Sequence, residues 1–427
     1  MSALCYRYDI IRGLTEHCGF ESHNSDNAKL CCVAHRYLSH FAGCVTELEE
    51  SEPKAAASPS FYSRFDLVSF LHKCVSILLD FSNLKLVRLS SLRNVSMCIA
   101  LLSTAHPAYS LILIDNRDEY LNRPTAPAEW WSYDGIEILS GRDLLRPEQG
   151  TWLGVTKAGK VAVLTNFRED VTPPPSAISR GAIIKDFLRE AGPSRAWVKQ
   201  MVASGKGRDV GGFSLVCGQL AASSGKPEDE GLAVFSNRVK VEGDVEWIFG
   251  QDAGSQAVGL SNGPFKGMPT KGAAEEDTES WKKVTDGERL MDAALKESQE
   301  AGEAEEQLIR RLLGVLSTDT LPRDESEAEG GLETYMNRLR NTIFVPAVGR
   351  KDPPDEIAAA RKEQKAAIFT EATALGVSGL YGTQKQTVIL VNHAGKVRFF
   401  ERTLYDNDVH KLTVPDGDRD FKFEIAH

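Results

Sequence analysis

Cysteine is scarce through most of this chain. Of 8 cysteines in 427 residues, only Cys98 and Cys217 follow Met97. The earlier ones, Cys5, Cys18, Cys31, Cys32, Cys44 and Cys74, show no CxxC pairing, which argues against a zinc site. Met1 to Arg12 lacks the continuous apolar core of a secretory leader. The thiols are therefore read as reduced and the compartment as intracellular. Long apolar runs are missing too. The nearest, residues 65–87, is interrupted by His72, Lys73 and Asp80 and reads as an amphipathic helix, so no transmembrane segment is expected. There is no Walker loop and no basic stripe with interleaved aromatics. The net charge of −10 also disfavours nonspecific nucleic-acid binding.

What is present is an ordinary globular composition, 42% hydrophobic and 26% charged, with a change of texture at Met97. Residues 1–96 are irregular and hold most of the cysteine. "NLKLVRLSSLRNVS" within them is basic and faintly like a transit segment, and Asn94-Val95-Ser96 fits the glycosylation triplet. From Met97 onward, β-branched runs recur: CIALLS, YSLILI, KVAVLTNF, GFSLVCGQL, GLAVFSNR and VEWIFG all read as strands. A terminal pair of strands turns at Asn392-His393-Ala394-Gly395. Helices are expected from Ser179 as a cap through "RGAIIKDFLREA", over "PSRAWVKQMVAS", over residues 304–316 with Leu308, Leu312, Leu313 and Leu316 on one face, and over residues 355–373. Acidic stretches near 271–280 and 317–331 read as inserted loops. The mixture indicates α+β or layered α/β.

Candidate chemistry gathers at "LILIDNRDE". Here a strand reaches a knot of opposite charges, Asn116-Arg117-Asp118-Glu119. Adjacent residues on a strand face opposite sides, so Arg117 and Asp118 serve one site only if the chain bends there. A surface salt-bridge cluster is the bland alternative. Cys98 likewise fits a small buried hydrophobe. Asn166 and Asn262 precede loops and fit turn or capping roles. Trp130, Trp131 and Trp152 fit core or rim packing. Gly150, Gly154 and Gly159 fit tight turns, and His106 fits a loop.

Five motifs occur in order: "DNRDEYLNRPT", "GTWLGVTKAGKVAVLTNF", "SRGAII", "GLSN" and "YGTQKQTVILVNHAGKVRFFER". Together they resemble the NRDE family, also called the transport and Golgi organisation protein 2 family, over roughly Met97 to Asp406. Members begin with Met-Cys, so Met97-Cys98 looks like the family's own start. Residues 1–96 are then an extension, poorly ordered or not part of the native protein, and 97–427 the family domain.

The resemblance implies a four-layer αββα sandwich of the N-terminal nucleophile hydrolase type. It implies a role in Golgi organisation and protein secretion, in the cytoplasm and at the Golgi apparatus by peripheral association, with mitochondrial association as a further expectation. An alternative is a cysteine amidohydrolase. Cys98 would supply the thiol and, once it is the first residue, an α-amine as base. Arg117 would hold the thiolate or a substrate carboxylate, Asp118 would orient the amine, and Asn166 and Asn262 would donate to an oxyanion. A second alternative is a carrier of haem or an acyl lipid. No cofactor is expected for the reaction, and haem enters only as cargo. The terminal motif departs from the family's Tyr-Gly-Thr-Arg, because Gln384 stands where an arginine is usual and Lys385 follows it.

Overall fold

The structure, a computed structural model, describes residues 97–166, 179–227, 231–250, 256–263, 265, 280–322, 338–349 and 380–426. These all lie within the compact unit Ser82–His427. The extension 1–96, the helix expected over 355–373, residues 271–279 and residues 323–331 lie outside the described residues.

Two antiparallel sheets form. The first contains β1 (Ile99–Ser103), β2 (Tyr109–Tyr120), β10 (Val258–Ser261), β11 (Tyr381–Asn392), β12 (Lys396–Thr403) and β13 (Asp418–Glu424), in the order β10-β1-β2-β11-β12-β13. The second runs β3 (Thr125–Tyr133), β4 (Ile136–Asp143), β5 (Leu153–Thr156), β6 (Lys160–Asn166), β7 (Phe213–Gln219), β8 (Leu232–Ser236) and β9 (Glu246–Ile248) in sequence order. Every expected strand is present, and the terminal pair closes through Asn392 to Gly395.

Period-two alternation sorts each inner strand between two cores. Ala100, Leu102, Leu111 and Leu113 join Val163, Leu215 and Phe399 between the sheets. Ile99, Leu101, Ile112 and Ile114 face the other way, against Met291, Leu312 and Leu316. Those three residues belong to α3 (Lys282–Ala301) and α4 (Glu305–Leu316), which cover the first sheet. Helices α1 (Arg180–Arg189) and α2 (Ser194–Ser204) cover the second, with Phe187 and Trp197 packed edge to face at 5.1 Å. The layers are therefore αββα.

Helices α1 and α2 follow the expected spans, and α4 buries Leu308, Leu312, Leu313 and Leu316 as its spacing requires. Ser179 stands at the start of α1, but its hydroxyl makes no capping bond, and its carbonyl accepts from Ala182 instead. Gly159 sits in a turn at φ +85°. Gly150 and Gly154 serve close packing rather than turns. A Cβ on Gly150 would lie 2.8 Å from Gly181 at the start of α1, and one on Gly154 would lie 2.7 Å from Leu188. After α4, the chain from Ser317 to Pro322 runs back along residues 341–344. Thr320 binds Thr342 Oγ1 at 3.0 Å, and Leu321 is buried.

Candidate active site

Strand β2 is the platform, and it does not end at the charged knot. It runs on through Tyr120, paired with β11 as far as Tyr381. The reason is that each polar residue of the knot meets polar company in register. Asn116 donates to the carbonyls of Leu316 at 2.8 Å and Ile343 at 2.9 Å. Thr383 lies opposite Asp118, and Lys385 opposite Arg117 across a bulge at Gln384. With no bend in the strand, Arg117 and Asp118 face opposite sides of the sheet.

Register then assigns the cysteine. Ile99 pairs with Asn116, so continuing the ladder sets Cys98 opposite Arg117 and Met97 opposite Asp118. The Cys98 thiol donates to the Asp118 carbonyl at 3.6 Å, and its own carbonyl accepts from Ser261 Oγ at 2.6 Å. Cys98 is 6% exposed. The bland reading of a buried residue is thus met, but its surroundings are polar.

Asp118 is fully buried. Its Oδ1 accepts from Thr383 Oγ1 at 2.6 Å, and its Oδ2 makes no hydrogen bond but lies 3.7 Å from Lys283 Nζ. Burial pushes its carboxyl up to about 7, against the opposing pull of Lys283. Lys283, also fully buried, donates to the carbonyl oxygen of Met97. Burial draws this amine below its ordinary value, while Asp118 and Cys98 oppose that.

On the other face, Arg117 donates through Nη1 to Gln384 Oε1 and stacks 4.7 Å over the ring of Trp152. This gives the departure at Gln384 a physical meaning. An arginine there would bring a second cation to Arg117, whereas the glutamine accepts its hydrogen bond. Gln384 also donates to the carbonyls of Leu121 at 3.4 Å and Arg123 at 3.3 Å. Trp152 therefore has a charge partner as well as a packing role. Beyond Arg117, the buried space between the sheets holds Asp115 and the Lys385–Glu401 pair at 3.1 Å.

Asn262 follows Ser261 at the end of β10. It is 2% exposed, and its Oδ1 has no hydrogen-bond partner. Asn166 ends β6, and its neighbour Thr165 donates to the Ser261 carbonyl at 2.7 Å, which ties that strand end to the same corner. Cys98 and Asn262 thus lie at the head of β1, with Arg117 and Asp118 on the neighbouring stretch of β2 but on opposite faces of the sheet. Asn166 reaches the same end, half-buried.

Lys283 and Thr383 escaped the sequence reading. Lys283 sits in "WKKV" and reads as a surface lysine. The available signal was its place on the apolar stripe of α3, in line with Gly287 and Met291. Away from the site, Asp406, Asp408 and His410 cluster on an exposed loop, with His410 Nδ1 and Asp406 Oδ2 at 3.0 Å. No helix among the described residues is long and apolar enough to cross a membrane.

Two antiparallel sheets, each roofed by a helix pair, make this a four-layer αββα sandwich with a cysteine at the head of an inner strand. The profile of the Transport and Golgi organisation 2 family matches residues 97–406, and the chain belongs to that family. It is 28% identical over 306 residues to the Transport and Golgi organization 2 homolog of Mus musculus, covering 71% of this chain and 90% of that protein. It is 29% identical over 347 residues to an uncharacterized protein of Saccharomyces cerevisiae, covering 77% of this chain and 100% of that one. Among solved structures, it is similar to a Caenorhabditis elegans N-acylethanolamine-hydrolyzing acid amidase ortholog, with 12% identity and a TM-score of 0.28, over 53% of this chain and 88% of that one.

Proposed function

We propose that the protein acts in Golgi organisation and protein secretion, from the cytoplasm and the Golgi surface, through a cysteine amidohydrolase centre at Cys98. The process is supported by family membership, since the mouse, bovine and human relatives carry it in their names. The chemistry rests on one observation: Cys98 heads an inner strand with the buried Asp118 carboxyl and Lys283 amine beside its bond to Met97.

A chain beginning at Cys98 would own an α-amine with a pKa of roughly 7.7–8.0, well matched to a general base near neutral pH. Asp118, opposite the preceding residue, would orient that amine. Arg117, on the thiol's face, would hold the thiolate or a substrate carboxylate. Asn262, with Asn166 at the same corner, would donate to the tetrahedral oxyanion. While Met97 remains attached, the nitrogen is an amide and takes no proton.

The test has two arms. Intact mass and N-terminal sequencing of the protein from its own cells should give Cys98 as the first residue, and that material should hydrolyse N-acyl amides, with Cys98→Ala reduced to background. In cells lacking the protein, a secreted reporter should slow and recover with wild type but not with Cys98→Ala. Rescue by Cys98→Ala would remove the catalytic reading and leave the cellular one.

A further inference from the structure

The residue that would have to leave Cys98 is built into the fold. Met97 is 3% exposed and belongs to a buried cluster with Trp281, Val284, Leu321, Leu339, Val345 and Tyr381. Trp281 and Val284 come from the start of α3, Leu321 from the segment after α4, and Tyr381 from β11. These walls hold one another without Met97. Val348 and Tyr381 exchange both backbone hydrogen bonds at 2.8 Å. The Val345 N–H donates to Thr383 Oγ1 at 2.9 Å, and its carbonyl accepts from the Thr383 N–H at 2.8 Å. A tied apolar cluster that loses one of its side chains relaxes only in part and keeps a cavity.

The carbonyl end of Met97 is held as closely as its side chain. Lys283, 0% exposed, donates to that carbonyl oxygen, and among the described residues this is the one hydrogen bond its amine makes. Asp118 Oδ2 stays 3.7 Å from the amine, and both it and the Tyr381 hydroxyl are buried without a hydrogen bond. Once Met97 leaves, Lys283 becomes a buried cation without its acceptor, at the polar end of an apolar cavity. Such a cation is strongly destabilising unless a new acceptor arrives, and an anionic oxygen is the best one.

We propose that the place of Met97 is a binding site for a short, unbranched apolar carboxylate, filled by the chain's own methionine until the working chain begins at Cys98. The inference rests on that reading of Cys98 as the first residue. The guest's carboxylate takes the position of the Met97 carbonyl on Lys283, and its tail takes that of the Met97 side chain. Hexanoate reproduces this outline, with a methylene in place of the thioether sulfur. Charge favours the same guest. The α-amine freed at Cys98 adds a second basic nitrogen to Lys283, against the single carboxyl of Asp118. Apolar cavities of side-chain size admit small apolar guests, and a charge-assisted hydrogen bond at one end fixes their direction.

The experiment titrates hexanoate calorimetrically into the protein purified from its own cells as a chain beginning at Cys98, and into the full 427-residue chain. The Cys98 form should bind hexanoate, and the full chain, whose Met97 fills the site, should not. Butanoate, two methylenes shorter, should bind about fifteenfold more weakly. Hexylammonium, with the wrong charge for Lys283, should give no heat. Lys283→Met should weaken hexanoate about tenfold or more. If that variant does not fold, the wild-type series decides, and butanoate or hexylammonium binding as well as hexanoate overturns the inference. A Cys98 form that hydrolyses N-acyl amides but ignores hexanoate, or a full chain that binds it equally, overturns this inference and leaves the nucleophile reading standing. Binding as expected without hydrolysis removes the nucleophile reading and leaves the site. A chain that keeps Met97 in its own cells overturns both.

Discussion

The two halves of β2 are alike in burial and opposite in chemistry. Leu111 to Ile114 are apolar, 0% exposed, and divided between two hydrophobic cores. Asp115 to Asp118 are polar or charged and at most 5% exposed. Its neighbour β11 repeats the division in antiparallel register, so Val388 and Ile389 lie beside Ile114 and Leu113, and Thr383 and Lys385 beside Asp118 and Arg117. Apolar burial is non-directional, and any well-shaped neighbour supplies it. A buried polar half needs a named partner for every group. Asn116, Arg117 and Asp118 Oδ1 have theirs, while Asp115 Oδ2 and Asp118 Oδ2 make no hydrogen bond. Polar atoms left in this state reduce stability, and their gathering beside Cys98 fits a site that trades stability for chemistry.

The contrast breaks most sharply at Lys385. Its ammonium meets Glu401 Oε1 at 3.1 Å and Thr403 Oγ1 at 2.9 Å, and both members of the ion pair are almost fully buried. Lys385→Met leaves Glu401 charged and without its cation, which should cost about 3–5 kcal/mol in urea unfolding. Lys385→Met with Glu401→Leu should regain most of that. Recovery stays incomplete because the Ala128 N–H loses its 2.7 Å bond to Glu401 across the sheets. A single variant as stable as wild type would show that the pair is solvated and the polar half is not a dry interior.

Asn116 comes next. Asn116→Leu keeps the volume and strips two carbonyls, those of Leu316 and Ile343, of their shared donor. The expected loss is about 2 kcal/mol, read from the same unfolding curves. A neutral result would mean that the backbone relaxes to find other donors, and that the polar half is less exacting than its hydrogen bonds suggest.

The apolar half was legible in the sequence, and the polar half only as a list of residues. Runs such as YSLILI and TVILV announce strands because β-branched and aliphatic residues suit a sheet buried on both faces. The knot in β2 looks like a strand end, since four polar residues in succession normally meet water. It stays in the strand because partners arrive from far along the chain: Thr383 is 265 residues from Asp118. Lys283 is hidden for the same reason, its acceptor being a backbone carbonyl 186 residues away. Strands β3, β4, β10 and β13 and helix α3 are not among the elements the sequence announces. Pro127 and exposed polar residues spoil the alternation of β3, and its register with β4 shifts between Ala126 and Glu129.

Within the apolar half, Ile114→Val is the control for ordinary packing. The side chain is 0% exposed on the helix-facing side of β2, and losing one methylene should cost about 1 kcal/mol. A loss as large as that of Lys385→Met would erase the distinction between the halves.

Asp118→Asn should change least in acid, below the ordinary carboxylate range, and its information lies in a slope. There the carboxyl, held up to about 7 in the native state chiefly by burial, is protonated both folded and unfolded, so an amide of the same shape replaces a neutral group. Thr383 Oγ1 keeps an acceptor. In the unfolded chain the same carboxyl ionises near the ordinary aspartate value. Between that value and about 7, the native state therefore holds more proton than the unfolded one, and stability from this group falls as pH rises. The loss is complete above about 7 and absent below the ordinary carboxylate range. Urea midpoints across this window should show wild type minus Asp118→Asn declining with pH and then levelling. A difference that grows with pH would mean that Lys283 outweighs burial and holds Asp118 ionised. The corner beside Cys98 would then be a settled ion pair, as fully compensated as the Lys385–Glu401 pair, and no longer the unsatisfied end of the strand.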